Sequence, residues 1–133
     1  MIFYIDYDAP NWNKYINIER SNKFASSNLK KKELAIIKQA TQGKKYKGKY
    51  PVKITFIKYF KDKRQDLDNV RLKGIIDGLV KCDVIKNDNL NCITEIDIKP
   101  EFNKTKKGLL IIIEENVWQK NGKMLKNMKE NIK

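Results

Sequence analysis

Closely spaced carboxylates are the most chemically suggestive residues of this chain. Asp66 and Asp68 flank one leucine in the run Asp-Leu-Asp-Asn (66–69), and Asp88 follows in a later turn. Side chains at i and i+2 point to the same face of a strand, and in a distorted turn before a helix they can also converge. Converging carboxylates repel unless a divalent cation lies between them, and such oxygen ligands suit Mg²⁺ or Mn²⁺. The spacing therefore indicates a metal site that could activate water for phosphodiester hydrolysis.

Histidine is absent from the 133 residues, and this absence restricts the possible chemistry. Catalysis by Ser-His-Asp or Cys-His groups is excluded, and so is an imidazole-built zinc site. Cys82 and Cys92 are too few for a four-thiolate metal site, and we interpret both as reduced thiols. Any hydrolysis would therefore depend on carboxylates and a bound metal. The same acids could instead cap a helix or stay solvated, and Lys73 with Asp77 could be an ordinary surface pair.

The charge balance favours a polyanionic partner. Lys and Arg total 29 against 16 Asp and Glu, for a net charge of +13. Such a field attracts phosphate backbones. The Lys-, Asn- and Ile-rich composition also indicates an A/T-rich coding sequence, which would raise lysine content without any role in binding. The acids are concentrated between Asp62 and Glu101, and the flanks are basic. An acidic centre in a basic chain is what a cation-using nucleic-acid enzyme would need.

Hydrophobic periodicity predicts the elements that must position these residues. Strands are expected at residues 3–7, 52–56, 93–98 and 109–113, the third of them stopped by Pro100. One helix is expected at residues 29–41, with its N-cap among residues 26–28, and a second helix is expected to begin near Asp68. The pattern predicts a single α/β (α+β) domain over residues 1–115, with a small mixed β-sheet packed against two main helices. Residues 116–133 are expected to form a basic C-terminal tail, helical and docked.

No apolar run approaches the roughly 20 residues that a membrane-spanning helix requires. The start of the chain lacks the basic-then-apolar plan of a signal peptide. We therefore expect a cytoplasmic protein with no membrane partner and no organic cofactor.

Several of these motifs, taken in order, resemble the core of the RusA family of phage and prophage Holliday junction resolvases. They are the run 66–69, the helical segment 73–79 (Lys-Gly-Ile-Ile-Asp-Gly-Leu) and the turn 87–89 (Asn-Asp-Asn). Pro10, Asn13 and Tyr15 are similar to the opening of that family, and residues 104–108 are similar to its basic turn before the last strand. The resemblance extends over about residues 8–114.

The resemblance implies a dimeric RusA-like fold and a specific activity. RusA-like enzymes are homodimers that bind four-way DNA junctions and nick two opposing strands symmetrically, using Mg²⁺ or Mn²⁺. By this resemblance Asp66, Asp68 and Asp88 would hold the metal, and Lys73 would be the essential lysine near the scissile phosphate. Lys73 follows Asp68 by five residues, where the family has four; the later motifs stay in register if the helix begins after Val70. The family also often has an acid at the position of Asn87.

Basic and polar residues around the motif are candidates for contact with DNA. They are Arg64, Asn13, Tyr15, Lys30, Lys31, Lys104 and Lys107. A non-catalytic basic protein that binds DNA or junctions stays open as an alternative, and so does a nuclease acting on flaps or other branched DNA. Tyr15 could equally belong to the core or to a dimer interface.

Overall fold

The computed structural model describes residues 1–117 and residue 130. In chain order these residues form β1 (Ile2–Ile5), α1 (Trp12–Ser21), α2 (Lys23–Thr41), β2 (Val52–Phe60), α3 (Lys73–Lys81), β3 (Ile93–Phe102) and β4 (Leu109–Glu115). One turn of 3-10 helix (Leu67–Asn69) lies between β2 and α3. The described part of the chain is thus a mixed α+β fold, as the sequence predicts.

The strands of the described residues pair in the order β1-β4-β2-β3. Strand β4 is antiparallel to both β1 and β2, whereas β3 runs parallel to β2, so the sheet is mixed. Alternate residues of β2 point to the same side of the sheet, and Val52, Ile54 and Phe56 are fully buried there. These side chains form one hydrophobic core with Ile37 of α2 and Ile75 of α3.

Helices α2 and α3 approach each other closely at a glycine. A Cβ atom added to Gly78 would lie 2.3 Å from Cδ1 of Ile37, which is inside contact distance. Gly78 is therefore the residue that lets α3 pack directly on α2. This close packing sets the position of the start of α3 relative to the rest of the core.

The structure contains a helix that the sequence prediction missed. Helix α1 begins after Asn11, whose Oδ1 accepts a hydrogen bond from the backbone N–H of Lys14 at 2.9 Å. Tyr15 is the buried residue of α1, so there was little apolar periodicity to detect. Helix α2 also begins earlier than predicted, at Lys23, because Asn22 serves as its N-cap.

Two predicted element boundaries were wrong, the end of β3 and the start of α3. Strand β3 does not stop at Pro100 but continues to Phe102, because β3 is an edge strand, where a missing N–H is tolerated. Helix α3 begins at Lys73 rather than near Asp68, since residues 67–69 form the 3-10 turn and Val70 is extended. The helix therefore begins after Val70.

The predicted tail begins in contact with the sheet. Asn116 is buried; its backbone N–H donates to the carbonyl of Pro51, and its side-chain amide donates to Oγ1 of Thr94, both at 2.8 Å. Apart from Val117 and Glu130, the rest of that predicted helical, docked tail lies outside the described residues.

None of the helices in the described residues is both long enough and apolar enough to cross a bilayer.

Candidate functional site

The Asp-Leu-Asp-Asn segment forms an exposed turn between β2 and α3. The backbone N–H groups of Asn69 and Val70 donate to the carbonyls of Asp66 and Leu67, both at 3.2 Å, which closes the 3-10 turn. Asp66 is at the N-cap position of this turn, but its carboxylate does not cap it. Asp66 and Asp68 are both exposed. Their carboxylates therefore face solvent, where a ligand can reach them.

A buried ion pair anchors the residues that follow this turn. The guanidinium of Arg71 contacts both carboxylate oxygens of Glu33 on α2 at 3.0–3.1 Å, and the two side chains are only 3% and 1% exposed. The guanidinium also lies over the ring of Tyr15, 4.0 Å from its centroid. The Tyr15 hydroxyl is 3.3 Å from Oγ of Ser26. Because buried charges are stable only when paired, this network holds the turn against α1 and α2.

Asp66 borders a concavity of about 370 Å³ that we call the Lys58 cavity. Its walls come from the loop after β1, the start of α1 and the loop before α3; the lining residues are 8–11, Lys14, Lys58, 64–66, 69–71 and Leu109. The ammonium of Lys58 contacts Oδ1 of Asp8 at 2.5 Å. The Lys58 side chain is 9% exposed, whereas Asp8 is largely exposed. A buried cation and the candidate acid Asp66 thus line the same cavity.

Asp88 borders a second, adjoining concavity of about 340 Å³, which we call the Asp88 groove. Lys73 and Asp77, from the start and middle of α3, line the same groove, and Lys73 Nζ is 3.8 Å from Oδ2 of Asp77. Val70 lines both the Asp88 groove and the Lys58 cavity. The structure therefore brings Lys73 and Asp88 to one groove and places Asp66 in the cavity beyond Val70.

The three aspartates are not gathered at one point. Asp66 lines the Lys58 cavity, Asp88 lines the Asp88 groove, and Asp68 lines neither. Within residues 1–117 and 130, no cluster of three or more Asp, Glu or Cys side chains is placed to hold a metal ion. In this arrangement the residues thus do not fit a single Mg²⁺ or Mn²⁺ ion bound by Asp66, Asp68 and Asp88 together.

Most of the residues predicted to contact DNA are exposed. Lys30 and Lys31 line a third concavity of about 540 Å³ between the helices, which we call the interhelix groove. Arg64 lines the Lys58 cavity and hydrogen-bonds to Asp62, holding the pKa of the Asp62 carboxyl below its ordinary value. Asn13 is exposed in the first turn of α1.

The other predicted contacts differ in exposure. Lys104 and Lys107 are exposed in the turn between β3 and β4, outside the lining of these three concavities. Tyr15, by contrast, is 7% exposed beneath Arg71, so its ring packs in the interior.

Sequence reasoning missed four charged residues that build this region: Asp8, Glu33, Lys58 and Arg71. A signal was present for two of them. Lys58 continues the inward-facing alternation of Ile54 and Phe56 on β2, and Glu33 lies one helical turn before the buried Ile37. A charged residue at an inward-facing position requires a partner, and that requirement predicts a buried ion pair.

These features define a basic α+β protein with a concave surface of mixed acids and cations around Val70. No protein-family model matches the chain, and no curated protein matches it. The function is therefore inferred from the residues themselves.

Proposed function

We propose that this protein is a RusA-like, Mg²⁺- or Mn²⁺-dependent endodeoxyribonuclease that resolves four-way DNA junctions by symmetric paired nicks. A homodimeric state and a cytoplasmic location are parts of the same proposal. The proposal rests on the ordered acids and lysine of the motif, and on the placement of Asp66, Lys73 and Asp88 around Val70.

The observation that carries the proposal is that Asp66 and Asp88 line adjoining concavities on either side of Val70, and that cations line each of these concavities. Lys58 and Arg64 line the Lys58 cavity with Asp66, and Lys73 lines the Asp88 groove with Asp88. Cations attract a phosphodiester, and carboxylates are the groups on which hydrolysis would depend in a chain without histidine. One stretch of DNA backbone that crosses Val70 would contact both the Lys58 cavity and the Asp88 groove.

The basic character of the surrounding surface supports DNA as the polyanion. The interhelix groove is lined by Lys30, Lys31, Lys73 and Lys81, and it shares Trp12, Lys73 and Asp77 with the Asp88 groove. A continuous concave surface with several lysines offers contacts to successive phosphates. The net charge of +13 adds a long-range attraction to the same partner.

A junction-cleavage assay with a metal titration tests this proposal. Purified protein is incubated with a synthetic four-way junction while the Mg²⁺ or Mn²⁺ concentration is raised. We expect paired nicks that increase with the metal and are lost in Asp66→Asn, Asp68→Asn and Asp88→Asn. The matched control is Asp83→Asn, because Asp83 is exposed and paired with Lys45 away from these concavities. Wild-type cleavage by both Asp66→Asn and Asp68→Asn would show that the proposal is wrong.

The separation of Asp66 from Asp88 favours a second candidate, a non-catalytic basic protein that binds DNA junctions. Such a protein would bind the junction equally well in EDTA and in Mg²⁺, and it would release no nicked product at any metal concentration. Repeating the cleavage assay with a flap substrate in place of the junction distinguishes a resolvase from a nuclease with broader substrate preference.

A further inference from the structure

We propose that the Lys58 cavity receives one unstacked nucleotide of the branched DNA. This inference rests on the proposed function for its substrate class, because it assumes that the partner is branched DNA. It adds that the protein takes a single nucleotide out of the stack at the branch point rather than contacting only the backbone.

The size of the cavity limits its occupant. Its volume of about 370 Å³ falls at the lower end of the range for small-ligand sites, so one nucleotide-sized group fits and a duplex does not. The cavity opens next to Asp66 and Asn69 of the exposed turn. An occupant would therefore be continuous with a DNA strand passing over the motif.

The interior of the cavity combines a donor and an acceptor. The ammonium of Lys58 has three N–H donors, of which the contact to Oδ1 of Asp8 uses one. Asp8 is largely exposed, so its second carboxylate oxygen is accessible as an acceptor. A base presents donors and acceptors side by side on its Watson–Crick edge, and enzymes that extrude a base read it through that edge. The Lys58–Asp8 pair is complementary to such an edge.

The walls of the cavity suit the remaining parts of a nucleotide. Pro10 and Val70 are partly exposed and provide apolar surface against which a base can pack. Arg64 and Lys14 are exposed cations on different walls, and each can contact a flanking phosphate. The contact of Arg64 with Asp62 is an exposed ion pair, which is weak and can be exchanged for a phosphate.

Fluorescence of 2-aminopurine tests this inference directly. A set of four-way junctions carries this base at single positions around the crossover, and binding is followed in EDTA so that no strand is cut. Because 2-aminopurine brightens when it leaves the stack, wild-type protein should raise the fluorescence several-fold at one or two positions. Lys58→Met should lose most of the rise while still binding the junction. Lys53→Met is the matched control and should keep the rise, because Lys53 is on the same strand, is paired with Glu95 and lines none of the three concavities.

A cavity-filling variant protects the test against a folding defect in Lys58→Met. Ala9 lines the cavity, and Ala9→Phe would occupy its space while leaving Lys58 and Asp8 in place. Loss of the fluorescence rise in Ala9→Phe, with junction binding retained, would support the inference. An undiminished rise in Ala9→Phe, or no rise at any crossover position with the bound wild-type protein, would overturn it.

Failure of the nucleotide site can be distinguished from failure of the proposed nuclease function. Nicking in Mn²⁺ or Mg²⁺ without any fluorescence rise overturns the nucleotide site and leaves the nuclease standing. A rise that depends on Lys58, without nicking at any metal concentration, supports the nucleotide site and overturns the nuclease.

Discussion

The Arg71 guanidinium and the Glu33 carboxylate form an ion pair in the interior of the protein, with Nη1 3.0 Å from Oε2 and 3.1 Å from Oε1. Arg71 is the second residue after the Asp-Leu-Asp-Asn turn, and Glu33 is on α2. This pair therefore links the candidate acids to the helical part of the core. It also separates two surfaces, because Arg71 lines both the Lys58 cavity and the interhelix groove.

Removing one partner of this pair should destabilise the protein strongly. Glu33→Leu leaves the Arg71 charge buried without its partner, and a broken buried pair costs about 3–5 kcal/mol. The double variant Glu33→Leu/Arg71→Leu should lose less stability than Glu33→Leu alone, because no unpaired charge is left in the interior. Urea unfolding of wild type, both single variants and the double variant measures the coupling. A double variant no more stable than Glu33→Leu would contradict this expectation.

Gly74→Ala should destabilise the protein although alanine favours helices. An added Cβ would lie 2.5 Å from both Arg71 Nη2 and Glu33 Oε1, and neither atom can move away without weakening the buried pair. Overpacking of this kind costs about 1–3 kcal/mol, which the gain of about 1 kcal/mol in helix propensity offsets only in part. Thermal or urea unfolding provides the measurement. Gln39→Ala, at an exposed position of α2, is the control and should change stability little.

The lysines of the interhelix groove should contribute to the salt dependence of junction binding. Lys30→Gln/Lys31→Gln should lower the slope of log K against log salt concentration by about 0.9 for each phosphate that these lysines neutralise in the wild-type complex. Fluorescence anisotropy with a labelled junction in EDTA gives the slope. Lys45→Gln is the control, because Lys45 is paired with Asp83 and lines none of the three concavities. Equal slopes for wild type and the double variant would show that the interhelix groove is not part of the DNA interface.

Tyr7 should make stability depend on alkaline pH. Burial, reinforced by the negative charge of Glu33, raises the pKa of the Tyr7 phenol from 10.0 to about 12. Folding therefore favours the neutral phenol, so its contribution is complete below pH 10 and is lost as the pH rises towards 12. Because lysines titrate in the same range, the comparison is with Tyr7→Phe. The stability difference between wild type and Tyr7→Phe, measured by urea unfolding, should shift in favour of the variant across this window. A stability difference between wild type and Tyr7→Phe that does not change with pH would contradict this prediction.

Local patterns predicted most of the elements correctly. Strict alternation in residues 52–56 and the i, i+3, i+4, i+7 spacing from Leu72 to Leu79 identify β2 and α3, because burial on one face requires that periodicity. Helix α1 was not predicted because Tyr15 is its only buried residue, which leaves little apolar periodicity. The prediction ended β3 before Pro100, because only the strand order shows that β3 is an edge strand, where proline is tolerated.

The sequence by itself determined the charge, the lack of histidine, the α+β class and the order of the acids and the lysine along the chain. These are properties of composition and of short-range periodicity, which need no knowledge of distant contacts. Only the tertiary structure decided that Lys73 and Asp88 share a groove, that Asp66 lies in the next cavity, and that Glu33 holds Arg71. Those relationships join residues far apart in the chain, and the packing of α2 on the sheet and of α1 and α3 on α2 determines them. The buried charges of Lys58 and Arg71 belong to the same category, because their partners become neighbours only when the chain folds.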